Sequence, residues 1–500
     1  MTATKTNTVV IGSGISGLTT AALLARCGRE VTIVEAKRKP GGALRRFTRE
    51  GIPFDVGFHY SSGLGKGQFL RALWDCLGVG GTISTTSLNP DGHDLLRLPT
   101  DDRQVRAYYS YDRLGEELCA VFPRESSGIR HYLATLRELS RAMPFYNPTL
   151  PLTPYLRGGA TANDRPLTEV IGACTGNPDL QAVLSAPTFL YGVPPKQAGL
   201  AMHAVVAHGY YSGAWGIVGG GQAIVEALVA ELTRLGVKIM TASPVTALKV
   251  EGDRVVGVSG DDWQLTATNV VYSGHPRHLP GLLPAEALRP AYRNRLRELE
   301  DTISMHIVFA EVAATTPLPL LDRANLYRLR PGFALLEPPA GNGPDTLMIT
   351  APGRHDGPTA PASRGVIMMR PARLAEVSGF DRGPKARGPG YAEFKEQLTA
   401  EMLADAADAF GDEFRTIRPL ATGTPLTFRD RLGSPAGGVY GVRNSRDQRP
   451  AEARTKLPGL YLSGQSSLMP GLMGASLAGL VSAGEIVGLE KVWDMVRECC

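Results

Sequence analysis

Apolar residues form their clearest pattern at the start of the chain. Residues 8–12 are a short apolar run, which predicts a buried strand. Residues 18–27 carry apolar side chains at helical spacing, and a second apolar run over residues 31–35 ends in an acid. The order strand, helix, strand predicts a βαβ unit with two parallel strands.

The same patterns predict further elements along the chain. Helical spacing of apolar residues predicts helices over residues 68–78, 126–143, 166–186, 196–208, 222–235 and 391–410. Apolar runs and alternation predict strands over residues 236–240, 244–250, 254–259, 265–272, 304–311 and 457–465. A last helix opens within residues 470–475 and ends near residue 487.

Two segments lack a clear period. Residues 93–122 alternate loosely and contain several tyrosines, so we expect strands and turns there. Residues 351–390 are rich in Gly, Pro and Arg, and we expect them to form an excursion on the surface. No internal repeat is visible, so we expect a globular fold rather than a repeat architecture.

Three glycines follow the first predicted strand in the spacing of a dinucleotide-binding motif. Gly12 permits a tight turn, Gly14 lets the backbone approach a pyrophosphate, and Gly17 lets the helix pack closely on the strand. Amides at the start of the helix offer the phosphates a partial positive charge. Glu35 ends the second strand, where a carboxylate accepts hydrogen bonds from a ribose. The spacing therefore predicts a bound dinucleotide.

Composition narrows the classes of protein. The 500 residues are 43% hydrophobic, which allows a large core and more than one domain. The net charge of +5 is small and dispersed, so we expect no nucleic-acid partner, while weak attraction to an anionic membrane surface stays open. Neither a signal peptide nor an apolar run long enough to span a bilayer is visible. The six cysteines have no metal-ligand spacing, and we expect reduced thiols, no metal and a cytoplasmic location.

Further motifs stand out beyond the opening unit. They are Gly41 and Gly42, Asp55 and Gly57, the glycine-rich segment 219–221, Val245 before the predicted meander, and the terminal set Gly464, Gln465, Pro470, Gly471, Gly474 and Ala475. Together with the βαβ unit, these motifs resemble the phytoene desaturase family of FAD-dependent oxidoreductases. Within that family, residues 57–60 and 460–465 are most similar to carotenoid isomerases and retinol saturases.

The resemblance implies an α/β fold, in which a glutathione-reductase-like Rossmann FAD-binding domain accompanies a second, mixed α+β substrate domain. The FAD-binding domain would be discontinuous and comprise residues 1–105, 213–275 and 420–500. The substrate domain would comprise residues 106–212 and 276–419 and shape an apolar tunnel.

FAD is the cofactor that the resemblance implies, and both ends of the chain would hold it. The glycine turn would bind the pyrophosphate, Glu35 the adenosine ribose, and the backbone of Val245 the adenine. The Gly464 turn would hold the pyrophosphate and ribityl chain, and the helix that starts near Gly474 would point its N-terminus at the pyrimidine edge of the flavin. The implied cofactor-binding residues are Gly12, Gly14, Ile15, Ser16, Gly17, Glu35, Ala36, Gly41, Gly42, Ala43, Val245, Gly464, Gln465, Gly474 and Ala475.

The resemblance also implies hydride exchange at flavin N5 with a long, apolar, conjugated polyene, either carotenoid-like or a polyketide. Desaturation, saturation, reductive cyclisation and redox-neutral isomerisation all stay open. Relatives in bacterial secondary metabolism form rings on polyene macrolactams of the polycyclic tetramate type.

Two alternatives belong to other classes of protein. A flavin amine oxidase would need an aromatic cage beside the flavin, for which residues 430–475 offer only Tyr440 and Tyr461. A flavin-binding subunit of a biosynthetic complex would need no catalytic residues, although intact FAD motifs speak against it.

No strong acid–base pair is visible, and a delocalised charge on a polyene would lessen the need for one. His59 and Tyr60 are the predicted catalytic residues, because they follow Asp55 and Gly57 in the family motif. Packing on the flavin is the alternative role for both. The apolar face of residues 68–78 is expected to join the core rather than a membrane.

For the other polar residues considered, we mainly expect structural roles. His203 and His208 lie five positions apart in a predicted helix, and we expect both to be structural. Asp55 is expected to hold loop backbone. Arg429 and Tyr440 lie near the second flavin segment, where Arg429 could form a salt bridge or anchor a substrate.

Overall fold

The computed structural model describes residues 4–101, 103–157, 164–337, 345–352 and 363–500. Its strands are β1 (Thr4–Ile11), β2 (Val31–Val34), β3 (Arg46–Arg49), β4 (Ile52–Asp55), β5 (Thr85–Ser87), β6 (Asp94–Arg97), β7 (Gln104–Ala107), β8 (Trp215–Ile217), β9 (Lys238–Met240), β10 (Ala247–Glu251), β11 (Arg254–Ser259), β12 (Gln264–Tyr272), β13 (Ser304–Ala313), β14 (Asn325–Arg328), β15 (Leu347–Thr350), β16 (Ser363–Ala372), β17 (Arg418–Gly423) and β18 (Leu460–Leu462). Its α-helices are α1 (Ile15–Arg26), α2 (Phe69–Cys76), α3 (Tyr111–Val121), α4 (Ser126–Arg141), α5 (Leu152–Arg157), α6 (Leu167–Cys174), α7 (Pro178–Ser185), α8 (Leu200–Tyr211), α9 (Gly220–Arg234), α10 (Pro290–Glu298), α11 (Tyr391–Phe410), α12 (Pro425–Leu432), α13 (Gly471–Val487) and α14 (Leu489–Arg497). Within these ranges, no helix has both the length and the apolar character that crossing a membrane requires.

A mostly parallel sheet carries both ends of the chain. Its strand order is β10-β11-β12-β1-β2-β9, and β18 pairs in parallel with the second half of β12. In register, Ile11 lies beside Val34 and Tyr272. Tyr272 lies in turn beside Leu462. The residues that follow these strands therefore meet at one carboxyl edge, which is where open α/β sheets bind ligands.

Helix α1 packs closely on both β1 and α13. A Cβ on Gly17 would lie 2.1 Å from the Gly12 carbonyl oxygen, so only glycine allows α1 to approach the end of β1 in this way. A Cβ on Gly479 of α13 would lie 2.6 Å from the Ser16 carbonyl oxygen. The two helices thus touch backbone to backbone, and this contact brings the last long helix onto the first motif.

A second sheet has the order β17-β13-β16-β15-β14-β6-β7. Neighbouring strands are antiparallel except β14 and β6, which are parallel. Helix α11 packs on it, because Leu398 and Met402 share a buried cluster with Val308 and Met368. The two sheets match the predicted combination of a Rossmann-type unit and a mixed α+β unit. β6 lies within the predicted segment 1–105 yet pairs in the second sheet, and the domain boundaries stay a prediction.

Two predicted helices have the expected positions. α11 has the predicted bounds. The helix predicted over residues 68–78 is α2, and its apolar residues Phe69, Leu70, Leu73 and Trp74 are buried. The apolar face of α2 therefore belongs to the core, as expected.

The expectation of strands and turns over residues 93–122 is wrong in its second half. β6 and β7 form, but α3 follows them. Ser110 caps this helix, because its side chain accepts a hydrogen bond from the Arg113 amide at 3.4 Å. Asp112 adds a negative charge to the first turn, which favours the helix start. The tyrosines led to the prediction of strands here, because tyrosine is typical of strands.

The helix predicted over residues 166–186 is divided into α6 and α7. Asn177 ends the continuity, because its side chain accepts hydrogen bonds from the amides of Asp179 and Leu180 at 2.9 and 3.2 Å. Pro178 occupies the first position of α7, where proline starts a helix rather than continuing one.

The surface excursion predicted over residues 351–390 is wrong for β16. Residues 353–362 lie outside the described residues, but β16 is an interior strand that pairs with β13 and β15. Val366, Ile367 and Met368 are fully buried. This apolar run is short and flanked by Gly, Pro and Arg, so the composition of the whole segment conceals it.

Candidate dinucleotide and substrate site

The turn after β1 leaves backbone amides without acceptors. Gly12 adopts a φ of +99°, which favours glycine, and its amide donates to the Val34 carbonyl oxygen at 2.8 Å. The amides of residues 15–17 find no acceptor among the described residues. A Cβ on Gly14 would meet no atom within 4 Å. The turn therefore presents free N–H groups beside open space, an arrangement that fits a phosphate.

Glu35 lies beside this turn at the end of β2. Its Oε2 accepts hydrogen bonds from the Ser13 amide at 2.9 Å and the Ser13 hydroxyl at 2.6 Å, and its Oε1 accepts one from the Lys37 amide at 2.8 Å. An ionised carboxylate has about four acceptor sites, so capacity for a ribose hydroxyl remains. The Ser243 amide donates to the Glu35 carbonyl oxygen at 2.9 Å, which places the half-buried Val245 nearby. The predicted residue Ala36 follows Glu35 and is exposed.

Gly41 and Gly42 lie against the same turn. The Gly41 amide donates to the Ser13 carbonyl oxygen at 3.0 Å. A Cβ on Gly42 would lie 3.2 Å from the Gly14 Cα. Ala43 continues the same short 3-10 turn and is half-buried. The structure therefore brings these predicted residues onto the glycine turn.

The terminal motif also lies against the opening motif. The Ser463 amide donates to the Tyr272 carbonyl oxygen at 2.9 Å. The Ser463 and Ser16 hydroxyls are hydrogen-bonded to each other. Gly464 follows with a φ of +106°, and Gln465 is half-buried. Two segments from opposite ends of the sequence thus form one edge.

Helix α13 begins at Gly471, within the predicted opening 470–475 and three residues before Gly474. Pro470 occupies the N-cap position, where it makes no side-chain cap. The amides of residues 471–474 have no acceptor in the part of the chain that the structure describes. The buried Ala475 follows them in the helix. The start of α13 is therefore a second set of free amides.

An apolar pocket opens at the N-terminus of α13. It is a small, partly open pocket of about 40 Å³ between α8, the loop after β4 and the start of α13. Its lining contains no Asp, Glu, Lys, Arg or His among the described residues, so it suits an uncharged, apolar ligand. The lining residues are Ser61, Ser62, Tyr146, Leu190, Met202, Val205, Val206, Tyr210, Met469, Pro470, Gly471, Leu472, Met473 and Gly474.

A buried polar network lies behind this pocket and contains the predicted residue Tyr60. The Tyr60 hydroxyl donates to Asp94 Oδ2 at 2.9 Å and lies 2.7 Å from the Tyr327 hydroxyl. Asn325 Nδ2 donates to Asp94 Oδ1 at 2.8 Å. The Tyr60 ring meets the Tyr210 ring edge to face, with centroids 5.3 Å apart. Asp94 and Tyr327 were not predicted from the sequence. The one signal was the charge of Asp94 at the start of the apolar strand β6.

The phenols of this region stay protonated at neutral pH. Burial raises the pKa of Tyr60 and Tyr327 well above 10, and the charge of Asp94 raises both further. Burial also raises the pKa of Tyr210, and the neighbouring Tyr440 adds to this shift. All these hydroxyls therefore keep their protons and can donate hydrogen bonds. The predicted residue Tyr440 lies close to Tyr210.

His59 precedes Tyr60 but does not line the pocket. It is half-buried, and among the described residues no hydrogen bond to its ring is found. Burial lowers the pKa of His59 to about 4, so its imidazole is neutral at pH 7. A catalytic role for His59 and Tyr60 stays a prediction.

His203 and His208 lie on α8, and the ring of each is within hydrogen-bond distance of tyrosine hydroxyls from other segments. The buried His203 lies 2.7 Å from the Tyr132 hydroxyl through Nε2 and 3.1 Å from the Tyr191 hydroxyl through Nδ1. His208 Nδ1 lies 2.7 Å from the Tyr111 hydroxyl. Both rings have the paired environment that a structural role requires.

Asp55 and Arg429 form hydrogen bonds and ion pairs within the protein, and neither lines the pocket. The Gly221 amide at the start of α9 donates to Asp55 Oδ1 at 2.9 Å, so the expectation that Asp55 holds backbone is confirmed. Arg429 pairs with Asp381 at 2.9 Å and with Asp430 at 3.1 Å. Of its two expected roles, the salt bridge is the one observed.

The chain is similar to known redox enzymes along nearly its whole length. Residues 10–77 match the model of the NAD(P)-binding Rossmann-like domain. All-trans-retinol 13,14-reductase of Danio rerio is 27% identical over 96% of this chain and 85% of that protein. Hydroxyneurosporene desaturase of Cereibacter sphaeroides is 26% identical over 91% of this chain and 92% of that protein. These relatives confirm the resemblance to the phytoene desaturase and retinol saturase family and the prediction of an oxidoreductase.

A solved structure gives the same answer for the fold. A triple mutant of putrescine oxidase superposes with a TM-score of 0.67 and 14% identity, covering 97% of this chain and 99% of that chain. At this identity the likeness concerns the fold alone, and it confirms the predicted fold class. Together with the Rossmann match and the open glycine turn, it supports a dinucleotide cofactor.

Proposed function

We propose that the protein is an FAD-dependent oxidoreductase that exchanges a hydride with a long, apolar, conjugated polyene. The observation that carries this proposal is the apolar pocket at the start of α13. It adjoins the terminal motif, and no charged side chain among the described residues lines it. A polyene is a ligand of this kind, since it is long, apolar and uncharged.

The residues at the carboxyl edge fit FAD at two separate places. The free amides of residues 15–17 would bind the pyrophosphate, and Glu35 would accept a ribose hydroxyl. The free amides of residues 471–474 would stabilise negative charge on the flavin ring. When bound, FAD supplies hydride transfer chemistry at its N5 atom. Two sets of amides across one edge suit a dinucleotide that extends from the turn to the pocket.

Saturation of a double bond is the first reaction to test. The retinol reductase relative aligns over 96% of this chain, and its name describes reduction. Desaturation comes second, because the desaturase relative aligns over 91% of the chain with nearly the same identity. Reductive cyclisation and redox-neutral isomerisation use the same machinery and differ in the fate of the hydride.

An amine substrate fits this pocket less well. A protonated amine requires an acid or an aromatic cage. The described pocket lining contains no acid. Tyr461, one of the two aromatic residues considered for a cage, lies in β18 beside Val271 and does not line the pocket.

The test begins with the purified protein and its visible spectrum. We expect bound FAD, reduction of that flavin by dithionite without oxygen, and its reoxidation on addition of a polyene that becomes saturated, such as all-trans-retinol or lycopene. A polyene that becomes desaturated would instead reduce the oxidised flavin. Mass spectrometry of the polyene then separates the reactions: gain of two hydrogens marks saturation, loss of two marks desaturation, and an unchanged mass with altered geometry marks isomerisation. Since cyclisation by reduction also gains two hydrogens, NMR of the product separates it from saturation.

Three results would contradict the proposal. Absence of FAD from protein that is folded would remove its basis. Reduction of the oxidised flavin by amines, with no response to any polyene, would favour the amine oxidase class instead. A flavin that is never reoxidised by small molecules would favour a subunit without catalytic activity.

A further inference from the structure

We infer that Ser62 and Tyr210 form a subsite for a neutral oxygen atom of the substrate, so that the preferred polyene carries a hydroxyl or carbonyl group. This inference deepens the proposed function and rests on it. It concerns two hydroxyls in the pocket wall: among the described residues, one makes no hydrogen bond and the other makes a single long one.

Ser62 is buried, with 6% of its surface exposed, and it lines the pocket. Its carbonyl oxygen accepts a hydrogen bond from the Ser61 hydroxyl at 3.0 Å. Its own hydroxyl finds no hydrogen-bond partner among the described residues. The hydroxyl reaches the pocket rather than being enclosed by protein, so a ligand oxygen in the pocket can form a hydrogen bond with it.

Tyr210 contributes the second hydroxyl. Its closest acceptor is the Tyr60 carbonyl oxygen at 3.5 Å, which is the outer limit of a hydrogen bond. Burial raises the pKa of Tyr210, so its hydroxyl keeps the proton and can donate it. Tyr210 is thus a donor with only a weak acceptor of its own.

The other hydroxyls of the pocket are already committed. The Tyr146 hydroxyl donates to the Val205 carbonyl oxygen at 2.5 Å, and the Ser61 hydroxyl donates to Ser62. The Ser62 hydroxyl and the weakly bonded Tyr210 hydroxyl lie in a wall without charged side chains. They match a single uncharged oxygen, which accepts from Tyr210 and accepts from or donates to Ser62. A hydrocarbon would leave Ser62 unpaired and Tyr210 with only its long hydrogen bond, whereas an acid or an amine would be buried without a counter-charge.

A flavin carbonyl oxygen has the same hydrogen-bonding chemistry as a substrate carbonyl. The experiment must therefore separate a substrate subsite from a cofactor subsite. Binding to the FAD-loaded protein is measured by the absorbance and fluorescence of two ligands, all-trans-retinol and the hydrocarbon in which a methyl group replaces its terminal hydroxymethyl group.

We expect the FAD-loaded protein to bind the alcohol at least tenfold more tightly than the hydrocarbon. Ser62→Ala and Tyr210→Phe should each lose most of this preference while binding the hydrocarbon as well as the unmodified protein does. Ser140→Ala and Tyr132→Phe are the matched controls, because both residues are buried but neither lines the pocket. Both controls should keep the preference.

Three results would overturn the inference. Equal affinity for the two ligands, or no binding of either, would remove the subsite. A preference that survives in Ser62→Ala and Tyr210→Phe would place the recognition elsewhere. Loss of bound flavin from these variants, with the preference intact, would assign the hydroxyls to the cofactor. Binding requires no turnover, so failure of this inference is distinct from failure of the flavin to be reduced and reoxidised.

Discussion

Tyr60 and Asp94 are joined by a hydrogen bond of 2.9 Å between the phenol and the carboxylate, across a separation of 34 residues. The bond ties the loop after β4 to β6 of the second sheet. Asp94 also accepts a hydrogen bond from Asn325, so one buried carboxylate holds two elements that are distant in sequence.

Asp94→Ala is expected to lower the free energy of unfolding by about 3 kcal/mol, because Tyr60 and Asn325 both lose a buried acceptor. Tyr60→Phe removes one donor and should cost about 1 kcal/mol. In a double-mutant cycle measured by urea unfolding, the two changes should couple by about 1–2 kcal/mol. Additive effects would show that the two side chains stabilise the protein independently.

Gly14 and Gly17 should respond differently to alanine. A Cβ on Gly14 meets no atom within 4 Å, so Gly14→Ala should change stability by less than about 0.5 kcal/mol yet weaken FAD binding more than tenfold, because the methyl group occupies the phosphate space. Gly17→Ala places a Cβ 2.1 Å from the Gly12 carbonyl oxygen and should cost about 3 kcal/mol. Thermal unfolding and FAD titration of both variants test the difference. Full FAD affinity in Gly14→Ala would refute the assigned phosphate position.

His203 should make the protein sensitive to acid. Burial lowers its pKa to about 3, whereas an unfolded histidine titrates near pH 6.5. The unfolded state therefore binds the extra proton, and the free energy of unfolding should fall by about 1.4 kcal/mol for each pH unit below roughly 6.5. His203→Gln should remove this part of the slope, although it also costs stability at neutral pH. Urea unfolding at several pH values measures both, and an unchanged slope would exclude His203 as a source of acid sensitivity.

Gly209→Ala should narrow the pocket. Its Cβ would lie 2.7 Å from both the Ser62 hydroxyl and the Tyr146 hydroxyl, which belong to the pocket lining. We expect a loss of about 2 kcal/mol in stability and at least tenfold weaker binding of all-trans-retinol. Adding Tyr146→Phe removes one of the two opposing oxygens and should restore part of the affinity. If the double variant binds no better than Gly209→Ala alone, the clash with Tyr146 is not the cause.

The elements that could be predicted are those with a local signature. The β1–α1–β2 unit and α11 have strong apolar periods, and the glycines of the first turn have a spacing with a direct steric reason. β16 escaped prediction because its strand character comes from pairing on both sides, which is not visible in a short apolar run between Gly and Arg.

The candidate site follows the same division. Residues of the glycine turn and the terminal motif were predicted from spacing, and the structure brings them to one edge. Asp94 and Tyr327 could not be predicted, because they reach Tyr60 only through the parallel pairing of β6 with β14. Likewise, whether a serine hydroxyl in the pocket is free depends on the partners of every neighbouring side chain.

The pairing of β18 with β12 can form only after most of this sequence has been translated. Ser16 leaves the ribosome early, but Ser463, its hydrogen-bond partner, follows 447 residues later. Until then the second half of β12 has one unpaired edge, which is a template for pairing with other chains. A translation product that stops before β18 is therefore expected to aggregate or engage chaperones rather than to hold the cofactor weakly. The cofactor site is therefore complete only after β18 and the residues that follow it have been made.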